Sequence, residues 1–150
     1  MTQEITVRRL RVGDREAWQP LWEQYLRFYR AELAPAISDA TFARLCQPDS
    51  DLVGLLVVDG DGGAHGLAHL VFHPSTWARE PSCYLEDLFV ERASRGSGMA
   101  NRLIEAVYET ARELGAERVY WMTQQFNGAA RSLYDTVAHL TSFAVYEHDL

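Results

Sequence analysis

The stretch that decides the fold is Tyr84-Leu85-Glu86-Asp87-Leu88-Phe89-Val90, followed after Glu91-Arg92-Ala93-Ser94 by Arg95-Gly96-Ser97-Gly98-Met99-Ala100. Cys83 to Val90 reads as a strand. Leu85, Leu88, Phe89 and Val90 make it nearly continuous in apolar character, as a strand buried on both faces is. A Gly-rich turn then opens a long helix, whose apolar positions Ala100, Leu103, Ile104, Val107, Ala111 and Leu114 recur at helical spacing. Gly115 is placed to end it. A helix N-terminus carries unpaired N–H groups and a partial positive charge, which together attract anions. Gly96 and Gly98 allow a diphosphate to approach the main chain closely. Arg95 adds a planar, charged fork for phosphate oxygens. A Gly-rich helix start with no ligand is the alternative this pattern leaves open. Two nucleotide readings fail: no Lys-Ser or Lys-Thr follows the glycines, and the first-strand position and acidic ribose partner of a dinucleotide site are missing.

Upstream of this stretch, Ile5 to Leu10 alternates and reads as a first strand. Gly13-Asp14 opens a helix with the stripe Trp18, Leu21, Trp22, Tyr25 and Leu26. Pro20 lies inside that stripe, where it would kink the helix or delay its start. Ala31 to Ile37, with Pro35, breaks the helix, and Ser38 is placed to cap a second one running to about Cys46. Leu52 to Val58 is a strand, Asp59-Gly60-Asp61-Gly62-Gly63 a hairpin turn, and Ala64 to Phe72 its partner strand. Pro74 to Pro81 is a loop. Downstream, Arg118 to Thr123 is a strand, Asn127 to about Val137 a helix with Ala130, Leu133, Tyr134 and Val137 on one face, and Ser142 to Tyr146 a final strand. The order β, α, α, β, β, β, α, β, α, β predicts an α+β class.

Asn127, Ala130, Leu133 and Tyr134 form an Asn-x-x-Ala-x-x-Leu-Tyr block. Together with the Arg95–Ala100 turn, in this order and at this distance, it resembles the two acetyl-CoA blocks of the GNAT superfamily of N-acetyltransferases. The element order is similar to that family's over nearly the whole chain. The stretch Tyr84 to Val90, the upstream Ser75-Thr76-Trp77 and the run Val119-Tyr120-Trp121 with Thr123 look like the histone and polyamine acetyltransferase subfamily, whose diamine acetyltransferases share Leu-Glu-Asp. One departure lies after Tyr134. Many members carry a Gly-Phe pair there, whereas this chain continues Asp135-Thr136-Val137-Ala138-His139-Leu140, with Phe143 only later.

The resemblance implies one domain over residues 1–150, a mixed central sheet of six to seven strands and about four helices. It implies acetyl-CoA as cosubstrate and direct transfer to a primary amine in a ternary complex. The acceptor would be a polyamine or other small amine, with a protein lysine or N-terminus as the alternative; a non-catalytic acyl-CoA-binding module is the alternative of another class. An amine of pKa about 10.4 is neutral in only about one molecule in 2,500 at pH 7, so its proton must be taken. Glu86 is the implied general base, with a structural carboxylate or a charge partner for the substrate as its other readings. The main chain of Leu88 would lie beside the thioester and offer an N–H donor to the developing oxyanion. Phe89 and Val90 continue the strand that pairs with the pantetheine arm. Arg95, Gly96, Ser97, Gly98, Met99, Ala100 and Asn101 would hold the diphosphate. Tyr134 would protonate the leaving sulfur, or else be a core tyrosine; Ala130 sits in the same cofactor block. Asn127 would contact the pantetheine arm or serve as an N-cap.

Composition narrows the partners. The 150 residues are 47% apolar and 23% charged, ordinary for a globular chain that buries its own core. A net charge of −7 disfavours nucleic acid and suits a cationic substrate. The longest apolar run, Leu52 to Val58, is too short for a bilayer. Cys46 and Cys83 match neither a metal-ligand spacing nor a disulfide framework, and the simple reading is a reduced, cytoplasmic setting. Cys83 has no evident base partner. His65, His69 and His73 are four residues apart on one strand, roughly 13 Å per step, so they read as a polar strand face and not as a metal site. Trp18, Trp22 and Tyr25 read as core, and Trp77 as a loop residue near an acceptor pocket. A homodimer through the C-terminal strand is an expectation from the resemblance.

Overall fold

Leu52–Val58 is apolar almost without a break because both of its faces are covered. It forms β2 of a five-stranded sheet in the order β1-β2-β3-β4-β5. The computed structural model describes residues 4–150. The other strands are β1 (Thr6–Arg9), β3 (Ala64–His73), β4 (Ser82–Val90) and β5 (Arg118–Tyr120). Neighbours from β1 to β4 run antiparallel and β4–β5 runs parallel. The β2–β3 hairpin turns as its Gly/Asp cluster predicts. Asp59 Oδ1 accepts from the N–H groups of Asp61 and Gly63 at 2.8 and 3.0 Å, and Gly62 takes φ +85°.

The described residues form four helices, α1 (Arg15–Phe28), α2 (Pro35–Cys46), α3 (Met99–Glu113) and α4 (Gly128–Val137), of which the first three cover the sheet. Side chains alternate between two cores. On one face Val53, Leu55, Val57, Leu70 and Leu85 pack with Leu103, Val107 and Ala111 of α3. On the other, Leu56, Leu67 and Phe89 pack with Trp18, Leu21 and Trp22 of α1 and Phe42 and Leu45 of α2. Each fully buried aliphatic side chain here contributes about 1.5–3 kcal/mol relative to an exposed one.

Helix α1 runs through Pro20 without a late start. Helix α2 begins at Pro35, one turn before Ser38, because proline suits the first helical position, where an N–H would be unpaired anyway. Ser38 therefore caps nothing. It is buried inside α2, where its Oγ accepts from Trp22 Nε1–H at 3.0 Å. Strand β5 stops at Tyr120, short of the expected Thr123. Ser142 to Tyr146 does not form a strand, so the described sheet has five strands and not six or seven. An alternating pattern makes a strand only when it pairs with an edge, and this segment pairs with none in the described sheet. Leu140, Phe143, Val145 and Tyr146 are left exposed.

Candidate active site

Strands β4 and β5 pair over three residues only, Ser82 with Arg118, Cys83 with Val119 and Tyr84 with Tyr120. Tyr84 and Tyr120 stack at 5.0 Å, and Arg118 lies over the Tyr120 ring while its Nε–H donates to Ser82 Oγ. These contacts lock the two strands just before they part. From Leu85 to Val90, β4 pairs with β3 alone. Among the described residues, no strand pairs with its side towards β5 from Leu85 onward. A polyamide arm laid there would complete the sheet.

The register of β3 and β4 shifts between His69 and Leu70, with Asp87 opposite the first and Leu85 opposite the second. Glu86 is the extra residue, a β-bulge, at the point where β4 loses β5. Bulges re-aim side chains, and this one leaves Glu86 solvent-accessible between a buried Leu85 and a half-buried Asp87. Even so, the surrounding protein strips enough water from its carboxyl to raise its pKa, and the neighbouring Asp87 charge adds to the effect.

Beyond β4, the chain makes a single turn (Arg92–Ser94) and enters α3 through Gly96 and Gly98, both at φ +83°. Side chains other than glycine rarely adopt that conformation. A Cβ on either glycine would meet no atom within 4 Å, so the space above both is open. Helix α3 has no side-chain cap, and its first hydrogen bond runs from Arg102 N–H to the Gly98 carbonyl at 3.1 Å. The N–H groups of Met99, Ala100 and Asn101 therefore have no acceptor within the helix. Ser97 Oγ–H donates to the Ser94 carbonyl and stiffens the turn. Arg95 Nε–H donates to the Val90 carbonyl at 3.2 Å, and its guanidinium lies over Phe28 and Phe89. With Arg27 and Arg92 it lines a hollow of about 570 Å³ on the α1 side.

Tyr134 sits half-buried on α4. Its ring meets Trp121 edge to face at 5.3 Å. Burial raises its pKa, with a smaller contribution from Tyr29 of α1, so the phenol stays a proton donor at neutral pH. Asn127 is the N-cap of α4 and accepts from Ala130 N–H at 3.4 Å. Ala130, Leu133, Tyr134 and Val137 form the helix's half-buried face, as their spacing predicts.

The three strand histidines part company. His65 is held between Asp59 and Glu91, at 2.6 Å from each. His69 is buried, so it belongs to the core and not to a polar face. His73 Nε2 lies 2.7 Å from the Tyr120 hydroxyl. Among the described residues, no group of three or more His, Cys, Asp or Glu side chains could hold a metal ion, and no helix is long and apolar enough to cross a membrane. Burial pushes the Cys83 thiol up to about 12, which suppresses the nucleophilic thiolate. Trp77 is 90% exposed in its loop.

Trp18 and Trp22 are core, as read from the sequence. Tyr25 does more than pack: burial raises the pKa of its phenol, and the nearby Asp87 charge adds to the effect. Tyr25 and Tyr29 end an aromatic stripe whose first members are Trp18 and Trp22. That spacing was visible in the sequence, but nothing there says that the stripe's polar end reaches β4.

Parting strands, an open glycine turn with helix N–H groups that lack an acceptor in the helix, a carboxyl on a bulge and a half-buried phenol on α4 suit a long anionic thioester and an amine. The residues present fit acetyl-CoA, because the glycine turn has room for a diphosphate that any Cβ would narrow. Similarity to known proteins agrees. Residues 12–138 match the sequence family described as the acetyltransferase (GNAT) family. The chain is 37% identical over 150 residues to the D-amino-acid N-acetyltransferase HPA3 of Saccharomyces cerevisiae, covering 99% of this chain and 93% of that one. It is 30% identical over 132 residues to the uncharacterized N-acetyltransferase YhfO of Bacillus subtilis, covering 87% of each. Its fold is similar to that of the aminoglycoside N-acetyltransferase AAC(6')-Iy solved with CoA, with TM-score 0.85 and 20% identity over 99% of this chain and 97% of the other. The chain belongs to the GNAT acetyltransferase family and is an acetyl-CoA-dependent N-acetyltransferase.

Proposed function

We propose that the chain acetylates the primary amine of a small molecule, with a D-amino acid as the leading acceptor. The observation that carries the amine chemistry is Glu86: a carboxyl of raised pKa, set on a bulge where β4 leaves β5. A base must hold its own proton loosely and yet be strong enough to take one from an ammonium, and a raised pKa moves Glu86 towards that balance. The acceptor class rests on the 37% identity to a D-amino-acid N-acetyltransferase over nearly the whole chain. The adjacent carboxylates Glu86 and Asp87 favour a second reading, a polyamine, whose several ammonium groups suit paired negative charges.

Acetyl-CoA supplies the activated acetyl group as a thioester. In this reading the N–H groups of Met99, Ala100 and Asn101 hold its diphosphate, with Arg95, Gly96, Ser97 and Gly98 shaping the turn. The main chain of Leu88, Phe89 and Val90 pairs with the pantetheine arm, flanked by Asn127 and Ala130. Glu86 takes the proton of the ammonium, directly or through water. Leu88 N–H stabilises the charge that develops on the carbonyl oxygen. The Tyr134 hydroxyl gives its proton to the sulfur as the thiolate leaves.

Thiol release from acetyl-CoA tests this with D- and L-amino acids, spermidine, putrescine, lysine peptides and aminoglycosides. Release that depends on D-amino acids supports the leading acceptor. Release with polyamines alone replaces it by the second reading, and release with lysine peptides alone overturns the small-molecule reading.

We also infer a homodimer. The exposed tail from Leu140 onward carries strand-like alternation, and β5 leaves its outer edge open in the chain. A second copy brings a matching edge and a matching tail, so each satisfies the other by an isologous pairing.

A further inference from the structure

Beneath the Glu86 bulge lies a buried polar chain that the reaction as described does not use. Trp18 Nε1 is 3.0 Å from His69 Nε2, and His69 Nδ1 is 2.8 Å from Asp87 Oδ2. Trp18 is fully buried and His69 is 3% exposed. Trp22 packs on the His69 ring at 5.2 Å. On its other side Asp87 faces the Tyr25 hydroxyl, and its charge, after burial, helps to keep that phenol protonated. The chain thus runs from the core of α1, across β3, to β4 and back to α1.

Its protonation follows from donor arithmetic. An indole N–H only donates. His69 Nε2 must therefore accept, which leaves it without a proton. The single ring proton then sits on Nδ1 and is donated to Asp87. An imidazolium carries protons on both nitrogens, and two N–H groups cannot face each other at hydrogen-bond distance in a dry site. Trp18 thereby excludes the charged form of His69.

The consequence falls on the carboxylate pair. Had His69 been an imidazolium, it would have formed an ion pair with Asp87 and cancelled its charge. It would also have drawn down the pKa of Glu86 next door. Other groups around it do not substitute for that charge. Helix α1 brings Tyr25 and Tyr29, and Arg15 lies over the Trp18 ring; β4 brings Tyr84, Glu86 and Asp87 itself. Helix α2 brings Arg44, which draws down the Glu86 pKa, though less than a charge on His69 itself would. Across β3 the partner of His69 on β2 is Gly54, which has no charge. Among the described residues, His69 is the one basic side chain within ion-pairing distance of Asp87.

We propose that His69 is a positioning residue for acetyl transfer: locked by Trp18 as the neutral imidazole with its proton on Nδ1, it fixes the Asp87 carboxylate without cancelling its charge, and so preserves a doubly acidic Glu86–Asp87 site for a cationic amine. The function of this lock rests on the acceptor reading given above, while the lock itself is independent of it. A dry site does not by itself choose the tautomer. Trp18 chooses it.

Two measurements test the lock. Long-range ¹H–¹⁵N spectra of the wild-type protein without substrate read the His69 ring directly. The expected pattern at pH 7 is a protonated Nδ1 and an unprotonated Nε2. A ring proton on Nε2, or an imidazolium at pH 7, overturns the proposal whether or not the acceptor reading stands. The second is the pH profile of kcat/KM for the amine. Trp18→Phe removes the indole donor and frees His69 to protonate. Its profile gains an acid limb between about pH 5 and 8, falling by up to about tenfold per pH unit beyond wild type, while KM for acetyl-CoA is unchanged. The limb disappears in Trp18→Phe/His69→Asn, because asparagine keeps an N–H near the Nδ1 position but cannot ionise. A Trp18→Phe profile superimposable on wild type, in a protein that melts cooperatively, overturns the positioning role.

Discussion

Tyr134 meets Trp121 edge to face, with ring centroids 5.3 Å apart and planes at 72°. Trp121 is the first residue past the end of β5, so this contact ties the rim of the strand opening to the helix that carries the phenol. Tyr108 Oη–H donates to the Val137 carbonyl at 2.8 Å and holds the other end of α4 to α3. The phenol is thus fixed from two sides. Tyr134→Phe keeps the ring packing and loses only the hydroxyl. The expected result is a fall in kcat of about 10²-fold or more, with acetyl-CoA affinity and melting temperature retained. Steady-state kinetics with calorimetry reads this; unchanged kcat removes Tyr134 from the acid role. Trp121→Ala should cost about 2 kcal/mol of stability and lower kcat as well, because it releases the ring.

Glu86→Gln keeps the size of the side chain and removes the carboxylate proposed as the base. Turnover should fall about 10²–10⁴-fold with acetyl-CoA binding unaltered. In the wild type the base works only when unprotonated. Its folded pKa is raised, so the acid limb of kcat/KM should lie above the ordinary glutamate range. An acid limb that persists unchanged in Glu86→Gln would assign it to another group.

Gly98 stands at φ +83° with open space above it. Gly98→Ala should cost about 1–2 kcal/mol from backbone strain alone, since the site has no atom for the methyl to strike. Gly98→Trp should in addition fill the diphosphate cradle and abolish measurable acetyl-CoA binding. Normal affinity in folded Gly98→Trp would sink the cradle assignment.

His65 joins the β2–β3 turn to the residues just before the glycine turn. Asp59 raises its pKa most, and Glu91 adds to it; Ser94 Oγ–H donates to the same Glu91. A raised folded pKa stabilises the protein fully below the unfolded value of about 6.5, and that stability is lost as pH rises through the folded value. The melting temperature should therefore decline as pH rises above about 6.5, and His65→Gln should flatten that decline. A wild-type melting curve indifferent to pH over this range would mean that the clamp contributes nothing.

The tail predicts a size. Light scattering after gel filtration should give twice the chain mass of 17.0 kDa. Removing residues 141–150 should give a monomer. A monomeric full-length chain would refute the pairing.

The sequence by itself determined the elements whose periodicity is local. The apolar run Leu52–Val58, the Asp/Gly hairpin after it, the helical spacing from Leu103 to Ala111 and the glycine turn before it all lie where their patterns put them, because each depends on dihedral preference and side-chain period within a few residues. The Leu-Glu-Asp stretch and the Asn127–Tyr134 block also pointed to acyl transfer. Only tertiary structure decided the rest. Glu86 is an ordinary strand residue until β3 imposes the register that makes it a bulge. His69 is a polar residue on an alternating strand until α1 brings Trp18 to its ring. Ser142 to Tyr146 has the pattern of a strand but pairs with no edge of its own chain. A bulge, a hydrogen-bonded tautomer and a strand partner each require two segments distant in sequence, and no periodicity within one segment encodes the other.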